Sequence, residues 1–102
     1  MPNFMNDIMS EWGYRRKFRP EHLDEYDDDD KAWHYNHTEF YEIEDVDDQT
    51  VIVHFFNGNK ETGTRTTSRR DLNYCERLWG DRLYYRTPNE RLTAEWANRG
   101  DV

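Results

Sequence analysis

Residues 50–56, TVIVHFF, run straight into Asn57-Gly58, and this pairing does most to fix what the chain can become. β-branched and aromatic residues favour a strand, and Asn-Gly tolerates the positive φ angles of a two-residue type I′ turn. A hairpin is expected, with residues 50–56 as its central strand. Residues 38–46 supply a strand before it. Alternation puts Tyr41 and Ile43 on one face and Phe40, Glu42 and Glu44 on the other. Asp47-Asp48 reads as the turn between them, and the Thr-rich stretch 59–67 reads as a solvent-facing edge strand.

Helical signals flank this β-meander. Phe4, Met5, Ile8, Met9 and Trp12 recur at helical spacing ahead of Gly13, so residues 1–13 read as an amphipathic helix. Ser68-Arg69-Arg70-Asp71 opens a second helix, with Leu72, Cys75, Leu78 and Trp79 as its buried stripe. A short strand follows within 82–87. Thr87, Pro88 and Glu90 then form a fuller start signal: an N-cap, a proline at the first helical position, and a glutamate three residues after the cap. Residues 20–36 show no clear period, and Asp27, Asp28, Asp29 and Asp30 read as a solvated acidic loop. The expectation is one domain over 1–102 of the α+β class. A small antiparallel meander of three to four strands packs with an N-terminal helix and two C-terminal helices, the last two within a helix-strand-helix unit at 68–100.

Composition limits the core. Leu, Ile, Val and Phe together make 17 of 102 residues, a level typical of disordered chains. Four Trp and seven Tyr compensate, because each aromatic buries roughly 150–250 Å². With so thin a core, a homodimer is an open alternative to a monomer. No apolar run approaches the roughly 20 residues of a membrane span, and no signal-peptide pattern is visible. The lone Cys75 fits a reducing compartment, so the expected location is cytoplasmic.

Charge is distributed unevenly. The net charge is −8, yet residues 21–48 alone hold 13 acids against Lys31 as the one base. An acidic balance argues against direct binding of nucleic acid or anionic membrane. His34 and His37 form an isolated HxxH, without the further ligands a zinc site needs, so neither metal nor cofactor is expected. No nucleophile elbow, phosphate loop or dinucleotide fingerprint is present, and Cys75 lies on a predicted inner stripe, so no enzyme activity is expected.

Two binding surfaces emerge. The acidic one combines Glu39, Glu42, Glu44, Asp45, Asp47 and Asp48 with Trp33, Tyr35 and Tyr41. Carboxylates two residues apart along a strand are spaced by about 6.6 Å, comparable to successive phosphates, so such a face can imitate nucleic acid. Aromatics would anchor the interface while charges select the partner. The alternative surface is Arg82, Tyr84 and Arg86 on one strand face, suited to stacking and clamping single-stranded RNA.

Within 40–61, the positions Phe55, Asn57, Gly58, Asn59 and Glu61 resemble the centre of Tudor-type SH3-like barrels. That resemblance covers about a fifth of the chain and implies a barrel that binds peptides. The tyrosine that precedes glycine in the family is missing here, and the family's aspartate has become Asn57. In composition alone the chain is similar to small acidic accessory proteins of bacteriophages that inhibit host nucleic-acid-handling enzymes. The leading expectation is a non-enzymatic binding protein that occludes a basic cleft of such a partner. A peptide-binding module and a weak RNA binder are the alternatives.

Overall fold

The computed structural model describes residues 15–19 and 23–93. Helix α1 (Asp28–Asn36) leads into strands β1 (Glu39–Asp45), β2 (Thr50–Asn57) and β3 (Lys60–Ser68). Helix α2 (Arg69–Trp79), the short strand β4 (Tyr84–Tyr85) and helix α3 (Pro88–Thr93) complete the order. The expected helix at 1–13 lies outside the described residues, as does the last helix beyond residue 93.

The meander forms, but its β2–β3 turn sits on Gly58-Asn59 rather than Asn57-Gly58: Asn57 pairs with Lys60 as the last residue of β2, and of the turn residues only Gly58 has a positive φ. β1 pairs antiparallel with β2, and β2 with β3. Gly58 turns the hairpin at φ 63°, and a Cβ there would lie 2.8 Å from the Cα of Asn36, so both the turn and the approach of α1 require glycine. Ser68 caps α2 by accepting the Asp71 N–H, and Thr87 and Glu90 cap α3 reciprocally through their side chains and backbone N–H groups.

Two further expectations are corrected. The sheet order is β3-β2-β1-β4, and β4 runs parallel to β1, so the sheet is mixed. Helix α2 carries the chain from one edge of the sheet to the other and returns it in the direction of β1. The described strands form an open sheet with helices against both faces, and an SH3-like closure is not among them. The supposed acidic loop is largely helix: Asp27 is the N-cap of α1, and Asp28, Asp29 and Asp30 form its first turn. Aspartate suits that position because its side chain accepts a free N–H and its charge opposes the positive end of the helix dipole.

The sheet buries both faces. On one, Tyr35 of α1, Phe40 and Phe56 pack with Phe18 and Tyr84. On the other, Tyr41, Val51 and Val53 pack with Leu72 of α2, flanked by Trp79 and Tyr85. Residues 15–19 close the β4 edge: Lys17 bridges Tyr85, and the Tyr85 N–H donates to the Arg16 carbonyl at 2.7 Å. Side chains there alternate as in a strand, with Arg16 over the Tyr84 ring and Arg15 over Tyr85. No described helix is long and apolar enough to cross a membrane.

Candidate interaction surface

The structure takes the predicted acidic face apart. Tyr35, Tyr41 and Glu42 are buried in the core and cannot meet a partner. Glu42 accepts from Arg86 Nε at 3.1 Å and from Arg91 Nε at 2.8 Å. Tyr41 donates to Glu76 Oε2, and Tyr35 donates to Asn59 Oδ1. Burial raises the pKa of both tyrosines, so their hydroxyls stay protonated donors. The sheet explains this outcome: its two faces are both covered, so alternation along β1 sorts residues between two interiors rather than between core and solvent.

The other acids of that stretch are exposed, and the carboxylates of Glu44, Asp45 and Asp47 are engaged within the chain. Glu44 sits 2.8 Å from His54 Nε2, and Asp45 pairs with Arg69 at 2.9 Å. Asp47 closes the β1–β2 turn by accepting the Gln49 and Thr50 N–H groups, which lowers its pKa. The Asp48 carbonyl accepts from Arg69 Nε. Glu39 is exposed at the opposite end of β1.

The alternative RNA face is not assembled either. Arg86 is buried, and Tyr84 is half-buried against Phe18 and Phe40. Arg82 is exposed and donates to the Leu78 and Trp79 carbonyls at the end of α2. The guanidinium of Arg86 lies 4.1 Å from the Phe40 ring centroid and 5.0 Å from that of Phe56, so it serves the core.

A different surface remains open on α1 and the turn before it. Leu23 is buried and anchors this turn, while Asp24, Glu25, Tyr26, Asp27, Asp28, Asp29 and Asp30 are all exposed. Trp33 is 57% exposed, yet its ring is stacked on His37 at 4.0 Å and 19°. Tyr26 is 41% exposed and lies 4.5 Å from the His34 ring, which in turn contacts Trp33 at 5.2 Å. His37 Nδ1 lies 2.7 Å from the Trp33 carbonyl, which fixes the histidine against the indole. The result is a continuous row of four rings along α1 and its two flanks, Trp33 and His34 within the helix, Tyr26 before it and His37 at its C-cap, beside a helix start rich in carboxylates.

Of this row, only Trp33 stands out in the sequence as an anchor. Tyr26, His34 and His37 belong to the same surface, and the i, i+4 spacing of Trp33 and His37 is the signal that could have revealed it. Among the described residues, no group of three or more His, Cys, Asp or Glu side chains is arranged to hold a metal ion. Comparison of the chain with protein-family models, with curated proteins and with solved structures finds no match.

Proposed function

We propose that this chain is a non-enzymatic binding protein whose α1 surface occupies a basic, nucleic-acid-binding cleft of a partner protein. The observation that carries this reading is the fixed row of the exposed Tyr26, Trp33 and His37 and the half-buried His34 beside the aspartates of the first turn of α1. A large indole held in one orientation costs little further entropy on binding, which is the property of an interface anchor. The carboxylates beside it would steer Lys- and Arg-rich surfaces and exclude acidic ones. Guanidinium groups of such a cleft can stack on the exposed indole while pairing with the carboxylates.

The test begins with capture of a partner from nuclease-treated lysate of the native host on the immobilised chain. The isolated partner is then titrated with wild type, with Trp33→Ala, and with Asp29→Lys combined with Asp30→Lys. Trp33→Ala is expected to weaken binding about thirty-fold. The charge reversal should flatten the salt dependence as well as lower affinity. Saturating wild type should release nucleic acid from the partner. Equal affinity for all three proteins, or a saturated partner that keeps its nucleic acid, would overturn the reading.

A further inference from the structure

The two edges of the sheet are treated differently. The β4 edge is covered by residues 15–19, whereas among the described residues β3 pairs only with β2 and presents its other side along nine residues, Lys60–Ser68. An uncovered edge of this length offers a row of backbone donors and acceptors to another strand. Two further features of β3 point to what fits there. Gly63 pairs with Phe55, its φ is not positive, and no atom of the described residues lies within 4 Å of the position a Cβ would take. Neither turn geometry nor close packing within the chain requires glycine, in contrast to Gly58. A glycine inside a strand often marks a site where a ligand or another backbone approaches closely.

The bare position adjoins a cleft of about 510 Å³ walled by Phe55 and Trp79, whose rings stand at 85° with centroids 5.5 Å apart, and bordered by Thr62 and Leu83. Thr62 is the residue the register skips between Phe55 and Phe56, and its hydroxyl donates to the Phe55 carbonyl. Two residues on from Gly63, on the same face of the sheet, Arg65 is exposed and makes no ion pair with a described residue.

We propose that the β3 edge docks an extended segment of another protein as an added antiparallel strand. The added strand places a large apolar side chain opposite Gly63, leaning across the bare backbone toward Phe55 and Trp79, and an acidic side chain opposite Arg65. Main-chain hydrogen bonds supply affinity and the two side-chain positions supply selectivity, as in other strand-addition complexes. In an antiparallel pair the residue opposite Arg65 precedes the one opposite Gly63 by two, so the recognised pattern is acidic, any residue, large apolar. A second copy of the chain fits less well: each copy carries −8, and the self-pairing register centred on Arg65 sets two guanidiniums face to face.

The probe is a nine-residue peptide of alternating threonine and valine in which a glutamate precedes a tryptophan by two positions. Its binding to the whole chain is followed by NMR and amide hydrogen exchange. The expected result is slowed exchange at alternate amides of residues 63–67, saturable with peptide. Gly63→Val fills the open position without meeting neighbours and should weaken binding at least ten-fold. Arg65→Glu should shift preference at least ten-fold toward the same peptide with lysine in place of glutamate. Trp33→Ala should leave peptide binding unchanged, which separates this site from the α1 surface. Peptide binding that is indifferent to both β3 substitutions would overturn the proposal. So would unprotected β3 amides at saturation, or a peptide-free dimer that protects the same amides.

Discussion

The two faces of the sheet each bury one glutamate, and they compensate it differently. On the face under α1, Glu42 receives two guanidiniums, from Arg86 and Arg91, within a ring of Phe40, Phe56 and Tyr35. On the face under α2, Glu76 places both of its donors, Tyr41 Oη and Arg15 Nε, on Oε2, while its buried Oε1 has no hydrogen-bond partner. Burial then pushes the Glu76 carboxyl above its ordinary range, against the pull of Tyr41 and Arg15. One face therefore holds a matched ionic cluster and the other an under-compensated charge. Each glutamate receives two donors on Oε2, but those of Glu42 are two guanidiniums and those of Glu76 one guanidinium and one phenol, and that difference in charge should govern the response to mutation and pH.

The largest effect is expected at Arg86. Its Nε donates to Glu42, its Nη1 donates to Tyr35, and its Nη2 lies 3.1 Å from the same Glu42 oxygen without hydrogen-bond geometry. Arg86→Met keeps the apolar stem but leaves Glu42 to Arg91, whose side chain is 26% exposed. Removing one partner of a buried pair strands the other, so stability should fall by about 3 kcal/mol in urea unfolding. A loss below about 1 kcal/mol would mean that Arg91 alone neutralises Glu42, and the contrast between the faces would fail.

Glu76→Gln tests the opposite face and should have a smaller effect. The raised pKa means that the folded state favours the neutral carboxyl. Its stabilising contribution is complete below the unfolded carboxyl value and is lost as pH rises through the folded value. The amide keeps the shape and an acceptor for Tyr41 but never ionises. The variant should lie within about 1 kcal/mol of wild type at neutral pH and lack the decline above the ordinary carboxyl range. An unchanged pH profile would show that Glu76 carries no such tension.

The same comparison explains how far the sequence could be read. The cap of α2 and the cap of α3 are local devices, written in Ser68 and the Thr87–Glu90 exchange, and each is found where the sequence puts it; the hairpin is equally local, but its turn falls on Gly58-Asn59, one residue later than Asn57-Gly58. The roles of Glu42 and Arg86 are non-local. They lie 44 residues apart, and only the parallel placement of β4 beside β1 brings them together. Alternation along β1 correctly separates Tyr41 from Glu42, but period two cannot say that both faces are covered. The aspartates at 27–30 misled in another way: their charge suggests a loop, while the N-cap and dipole terms that favour acids at a helix start make them an initiation signal. The edge strand is legible in the polar, Thr-rich stretch 59–67, whereas the placement of the bare Gly63 beside Phe55 follows from register, which no local pattern specifies.

The smallest effect sharpens the comparison by separating two pH windows. On the Glu42 face, His54 Nε2 lies 2.8 Å from Glu44 and Nδ1 lies 2.6 Å from Glu61, so the imidazolium can link β1, β2 and β3. The bond to Glu44 raises the His54 pKa most; partial burial opposes it, and Glu61 adds to the rise. Arg91, paired with Glu42, borders the same cleft of about 420 Å³. A raised histidine value stabilises fully below the unfolded value of 6.5 and loses that contribution as pH climbs through the folded one. His54 and Glu76 thus weaken the protein in the same direction as pH rises, the loss from the carboxyl setting in above 4.5 and that from the imidazole above 6.5. His54→Gln should cost less than about 1 kcal/mol at about pH 5.5, because both glutamates are half exposed and screened, and nothing at about pH 8.5. Combined with Glu76→Gln, the two changes should add, since they lie on opposite faces of the sheet. Strong non-additivity would mean that the sheet transmits charge between its faces and that the two interiors are one electrostatic unit.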